Sequence, residues 1–416
     1  MTARGRVMGE GGRDFEIFAS TAPGIESITA GELKTLGVKG KQILGGVEFH
    51  GDLDRIYQAN LWLRTATRVL VRLGRFHAST FYELERRARK IRWEDFLPAS
   101  GPVSVRVTCR KSRLYHSDAV AERVLGAIAR VAPASLELGQ ATSSNDGEDA
   151  DANDSGNAVP SDDATERSQS FLVRIVDDEC EISADSSGDL LHRRGYRKEV
   201  AKAPLRETLA AAMVLASGWK HGEPLLDPMC GSGTIPIEAA LIARGIAPGL
   251  KRDFQFMKWP SFDRKIWDRA IEHAQTVNGN AEGIRGGDRD AGAIDAATRN
   301  ADRAGVAGDI QFSTASLSES MAGVEESGAG TGWILTNPPY GVRVGDTDAL
   351  RNLYARLGSA LRPDNRWRLG VLTADPSLAR HTRLALKSRF STSNGGIPVS
   401  FLVSEKPEAG PHPIDE

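Results

Sequence analysis

The chain has 416 residues, 40% hydrophobic and 26% charged, with a formal net charge of −2 and only 3 cysteines. At about 100–200 residues per domain, that length predicts two or three folded units, and the composition excludes a fibrous, wholly disordered or disulfide-framed chain. No run of 18 apolar residues occurs and the amino-terminal stretch lacks an apolar signal core, so a cytoplasmic setting with no membrane partner is expected.

Residues 14–95 read as a small α+β unit. Glu16–Ala19 is a strand, Gly24–Leu36 an amphipathic helix, and Gly46–His50 a second strand after a Gly-Gly turn. Arg64, Arg68, Arg72 and Arg75 follow at spacings of three and four and read as the solvated face of an amphipathic element. Residues 96–200 form a second unit. Val103–Cys109 alternates with the period of a strand, Asp118–Val131 with that of a helix, and Phe171–Val176 and Cys180–Ser183 pair as a hairpin about Asp177-Asp178.

Inside that unit lies an acidic stretch, residues 137–170, with nine acids against one base. It carries −8 of a total of −2, so the rest of the chain carries +6. With almost nothing apolar to offset its ordering entropy, it reads as a disordered insertion. The positive charge left over is clustered. Lys111 and Arg113, within Lys-Ser-Arg-Leu-Tyr-His116, and Arg193, Arg194, Arg197 and Lys198, within His192–Lys198, lie among turn-forming residues and are the candidate contacts to a phosphate backbone.

From about residue 204 to 405, short apolar strands alternate with helices, the pattern of βαβ units on a mostly parallel sheet, so the fold class is α/β. Three motifs there carry chemistry. Asp227-Pro-Met-Cys-Gly231-Ser-Gly233-Thr is a strand end, a glycine turn and a helix start, where backbone passes close to a ligand and a helix N-terminus is open. It lacks the spacing of the common phosphate-binding loops, and a carboxylate before the turn suits a ligand bearing a positive amino group. Asp288 ends a second strand and is the choice for ribose hydroxyls, while Asp290, two residues on, reads equally well as a helix N-cap.

The third motif is Asn337-Pro338-Pro339-Tyr340, a tetrapeptide expected by chance on the order of once in a thousand chains of this length. The prolines stop the strand and fix its backbone. The Asn337 amide oxygen and the Pro338 carbonyl can then accept both hydrogens of one NH₂ group, with Tyr340 stacking on the ring that bears it. An exocyclic amine needs this help because its lone pair is delocalised into the heterocycle. Cysteine-dependent methylation of pyrimidine C5 is excluded, because no cysteine follows Asn337, and zinc chemistry because no Cys-x-x-Cys or His-Glu motif exists; no metal is expected.

These motifs resemble those of class I S-adenosylmethionine-dependent amino-methyltransferases. Ser187–Arg197 and Ala203–Ala211 resemble more narrowly the THUMP-domain RNA methyltransferases, most of all the bacterial 23S rRNA guanine-N2-methyltransferases. The resemblance covers most of the chain. It implies a ferredoxin-like unit over 14–95, a THUMP unit over 96–200, and a Rossmann-like catalytic domain over 204–405. It implies S-adenosylmethionine as cofactor, with Asp227, Gly231 and Gly233 about its methionine part, Asp288 at its ribose and Ser316 where many relatives have an acid near adenine. Asn337, Pro338, Pro339 and Tyr340 would hold the target amine. The implied partner is RNA, 23S rRNA or a large-subunit precursor particle. The second methyltransferase domain fused in some relatives is not expected. An N6-adenine methyltransferase acting on DNA, another RNA amino-methyltransferase, and an RNA-binding assembly factor with a vestigial cofactor site are the alternatives the residues leave open.

Overall fold

The computed structural model describes residues 13–139, 142–143, 168–198, 205–275, 279, 281–325, 331–339, 347–361 and 366–405. Most of the acidic insertion and Tyr340 lie outside the described residues. The chain forms two compact units. The first comprises Met1–Thr21, Thr29–Leu191 and Arg252–His273; the second comprises Ala22–Ile28, His192–Lys251 and Ala274–Glu416.

In chain order the first part contains β1 (Phe15–Thr21), α1 (Glu26–Thr35), β2 (Lys41–Ile43), β3 (Gly46–Gly51), α2 (Leu53–Trp62), β4 (Ala66–His77), α3 (Phe81–Ala88), β5 (Gly101–Arg110), α4 (Ser117–Ala129), β6 (Leu136–Leu138), β7 (Thr142–Ser143), β8 (Gln169–Val176) and β9 (Glu179–Asp185). Its strands make one sheet, ordered β2-β3-β1-β4-β9-β8-β5-β6, with β7 also on β5. The hairpin forms as expected: Asp177 and Asp178 turn it with φ of 51° and 64°, the left-handed pair a two-residue turn demands. The acidic insertion leaves and re-enters beside a single residue, since Val103 pairs with Leu138 on one side and Gln169 on the other.

Three of the four arginines at 64–75 are not on a solvated face; only Arg75, 45% exposed, stays at the surface. Arg68, Arg72 and Arg75 lie on β4, and Arg64 is buried just before it. Arg72 is enclosed by Glu16 (3.2 Å), Glu48 (3.2 Å) and Glu181 (2.6 Å), one carboxylate from each of three other strands. Arg75 reaches the same three, and Arg68 pairs with buried Asp185. The charges are neutralised inside the sheet, which spacing along one strand does not reveal. The segment Arg252–His273 also packs in this unit: Phe256 stacks on Tyr57 at 4.4 Å, and Trp259 Nε1 donates to Gln169 Oε1 at 2.7 Å.

The chain continues through α5 (Glu207–Ser217), β10 (Leu225–Asp227), α6 (Thr234–Ala243), α7 (Arg264–Gln275), β11 (Ile284–Asp288), α8 (Ala291–Ala304), β12 (Ile310–Thr314), α9 (Leu317–Glu325), β13 (Thr331–Thr336), α10 (Thr347–Ser359), β14 (Arg366–Thr373), β15 (Leu386–Asn394) and β16 (Ile397–Ser404). The second unit's sheet runs β12-β11-β10-β13-β14-β16-β15. The pairs from β12 to β14 are parallel and those of β16 antiparallel. Neighbouring residues of its strands alternate between two cores. Leu225, Leu335, Leu372 and Phe401 face α5, α6 and α8, whereas Leu226, Ile334, Val371 and Leu402 face α9 and α10. Both faces are covered, which is why these strands read as short continuous apolar runs. The winding reverses between β10 and β13, and ligands of open α/β sheets bind at such a reversal, beyond the carboxyl ends of the strands.

Candidate active site

Asp227 ends β10 and Asn337 follows β13, so the two lie at the ends of adjacent parallel strands, at the reversal. Pro228 ends the first strand, and the loop after it turns through Gly231 (φ 52°) and Gly233 (φ 83°) into α6. Gly233 has a second reason to be glycine: a Cβ there would sit 2.9 Å from that of Ala297. The loop is pinned by side chains. Met229 N donates to Asp227 Oδ1 (3.2 Å), Gly231 N to Asp288 Oδ2 (2.9 Å), and Asn300 Nδ2 to the Ser232 carbonyl (3.1 Å). Asp288 ends β11 beside Asp227, and Asp290 caps α8 by accepting from Gly292 N at 2.8 Å. Cys230 is buried and its thiol is pushed well up by burial, which makes it a packing residue and not a nucleophile.

Burial raises the Asp227 carboxyl from 3.8 to about 7, the Thr336 hydroxyl and Met229 amide pull it back, and the Asp288 charge raises it further. The fold therefore favours the protonated form. That contribution to stability is complete below about pH 4 and is lost as the pH rises through about 7, a change on the order of 4 kcal/mol. Urea unfolding across pH 4–8 should show this decline in the wild type and its absence in Asp227→Asn. Parallel profiles for the two proteins would mean that Asp227 titrates normally.

At the end of β13, the Thr336 hydroxyl donates to Asp227 Oδ1 at 2.8 Å, tying the two strand ends together. Pro338 is buried and Pro339 exposed. Asn337 Oδ1 is buried and has no hydrogen-bond partner among the described residues. Leaving a buried acceptor unpaired costs about 1–3 kcal/mol, so this oxygen is able to accept a donor from a ligand. Ser316 lies just past β12, where its hydroxyl accepts from Glu319 N (3.3 Å) while Glu319 accepts from Ser316 N (2.7 Å), a capping box that leaves the hydroxyl proton to donate. Sequence reasoning passes over Thr336 and Asn300; only Thr336 carries a signal, as a hydroxyl immediately before Asn337.

The basic candidates separate into two groups. Lys111, Arg113, Arg193 and Lys198 are exposed. Arg194 and Arg197 are not, and the expectation that they face RNA is corrected. Arg194 is buried in the second unit with its Nε 3.4 Å from Glu238 Oε1, which also accepts from the Tyr196 hydroxyl at 3.0 Å. Arg197 reaches Glu207 (2.9 Å) and the Leu205 carbonyl (3.0 Å). Each guanidinium neutralises a carboxylate of a core helix, and the intervening exposed residues keep the sequence looking like a charged loop. Among the described residues no helix is long and apolar enough to cross a membrane, and no cluster of three or more metal-ligating side chains occurs.

The residues fit a cationic, hydroxyl-bearing ligand beside an amine: two carboxyl groups at adjacent strand ends, a glycine loop, and an acceptor unfilled among the described residues. Two family models match the chain, an RlmL ferredoxin-like domain over residues 16–70 and an RMKL-like methyltransferase domain over residues 194–400. The ribosomal RNA large subunit methyltransferase K/L of Syntrophotalea carbinolica is 36% identical over 400 residues, covering 93% of this chain and 53% of that protein. The chain thus spans about half the length of the K/L proteins it matches. YpsC of Bacillus subtilis, provisionally named an RNA methyltransferase, is 35% identical over 94% of this chain and 95% of its own. The solved structure of SMU.472, provisionally a methyltransferase and complexed with SAH, superposes with a TM-score of 0.78 at 28% identity, covering 95% of this chain and 98% of that one. The chain belongs to the RMKL-like methyltransferase family.

Proposed function

We propose that the protein is an S-adenosylmethionine-dependent RNA methyltransferase that modifies the exocyclic N2 amine of a guanine in large-subunit rRNA, acting in the cytoplasm. The observation that carries this reading is the buried Asn337 Oδ1, without a partner among the described residues, at the strand end next to Asp227. The relatives' names support RNA as substrate and the complex of SMU.472 supports the cofactor.

When bound, S-adenosylmethionine supplies an electrophilic methyl group on a cationic sulfur. Asp227 and the Gly231–Gly233 loop hold its amino-acid part, Asp288 its ribose hydroxyls, and Ser316 lies toward its base. Asn337 Oδ1 and the Pro338 carbonyl accept the two N–H groups of the guanine amine, which turns its lone pair out of conjugation and toward the methyl carbon. Pro338 and Pro339 keep both acceptors in place, and Tyr340 stacks on the base. No strong base is required: once the C–N bond forms and the C–S bond breaks to leave a neutral thioether, the methylated amine would be acidic enough to give its proton to water.

The test is methyl transfer from labelled S-adenosylmethionine to total RNA from cells lacking the protein, followed by nucleoside mass spectrometry. Label on guanosine N2 of large-subunit rRNA is expected. Label on adenosine N6, or on DNA alone, would overturn the substrate; failure to bind the cofactor would overturn the enzyme and favour an assembly factor.

A further inference from the structure

The loop joining β5 to α4, residues 111–116, holds its backbone rigidly yet leaves its largest side chain in water. Lys111 adopts a left-handed conformation (φ 48°) that costs a non-glycine residue energy, so the surroundings must enforce it. They do so through Ser112 and Asp178. The Ser112 hydroxyl donates to the Arg110 carbonyl at 2.8 Å and accepts from Asp178 N at 3.1 Å, and Arg113 N donates to Asp178 Oδ1 at 2.7 Å. Leu114 is buried and anchors the middle of the loop. Against that fixed frame Tyr115 is 67% exposed, its ring touching that of His116 at a centroid distance of 4.0 Å and a tilt of 41°. Lys111 and Arg113 are exposed on the same loop.

Two exposed cations and an exposed aromatic pair thus stand together on one short, hydrogen-bonded loop. We infer that this loop is a preorganised binding site for an unpaired RNA nucleotide, whose base stacks on Tyr115 while Lys111 and Arg113 hold the adjoining phosphates. Stacking suits any base, because every base has a π-face, and the rigid frame lowers the ordering cost of binding. The two cations supply attraction that salt screens, whereas the ring supplies attraction that salt does not. A duplex offers the phosphates but keeps its bases stacked on one another, so the site selects loops, bulges and ends. This inference rests on RNA being the substrate.

The experiment measures binding of the full chain to a synthetic RNA hairpin with an unpaired loop and to a blunt duplex of the same stem, across a range of salt. Tyr115→Ala should weaken hairpin binding on the order of tenfold to a hundredfold, with duplex binding and the salt slope unchanged. Tyr115→Phe should restore it, since stacking does not use the hydroxyl. Lys111→Ala and Arg113→Ala should each reduce the salt slope by about one on both RNAs. The inference is overturned if Tyr115→Ala leaves hairpin binding unchanged, if it weakens both RNAs equally, or if Phe is as damaging as Ala; the assignment of RNA as substrate survives all three. If the wild-type chain binds neither RNA, that assignment falls and the inference falls with it.

Discussion

Asn337→Ala should lower methyl transfer about 10²–10³-fold, the scale of losing one preorganised polar contact to a reacting group, and should leave cofactor affinity unchanged. The reason is the unfilled acceptor. Oδ1 is shielded from water and accepts from none of the described residues, so the protein already bears its desolvation before a substrate arrives. On the proposed mechanism this contact would tighten as the amine acquires positive charge, so the loss should appear in kcat and not in binding. Asn337→Asp keeps an acceptor and should retain more activity than Ala. Single-turnover kinetics with saturating cofactor, alongside calorimetry of cofactor binding, separates the two effects. Turnover at the wild-type rate in Asn337→Ala would remove the amine clamp from the mechanism.

Arg194→Ala should destabilise the protein by about 3–5 kcal/mol, because it leaves the Glu238 carboxylate buried without its cation. The side chains are 2% and 0% exposed, and Glu238 Oε2 has no partner among the described residues. Pairing the change with Glu238→Gln should recover part of the loss, since the stranded charge is then gone. Urea unfolding of the single and double variants measures this directly. RNA affinity of whatever remains folded should be unchanged. An Arg194→Ala protein of normal stability and weakened RNA binding would return this residue to the surface.

The two arginine groups show where sequence reading stops. Arg113 and Arg194 look alike along the chain: each lies among turn-formers and beside an aromatic residue. What separates them is burial against a partner far away in sequence: Arg194 shares the core with Glu238, 44 positions away, whereas Arg113 stays 77% exposed although Asp178, 65 positions on, lies 3.9 Å from its Nε. The same holds for Arg72, whose three carboxylates come from β1, β3 and β9, and for Thr336, which reaches an aspartate 109 positions away. The hairpin at Asp177-Asp178 and the N-cap at Asp290 were legible because their cause is local: a two-residue turn needs left-handed residues, and a helix start needs an acceptor within two or three positions.

By itself, then, the sequence determined the alternation of strands and helices, the glycine loop, and the strand-end identities of Asp227, Asp288 and Asn337, because strand punctuation by proline and glycine acts over a few bonds. Only the tertiary structure decided that Asp227 and Asn337 lie side by side at the reversal of the sheet, that burial holds one carboxyl near neutrality, and which cations face water. Those outcomes depend on which strands become neighbours and on what each side chain loses in leaving water, and neither quantity is a property of any short stretch of chain.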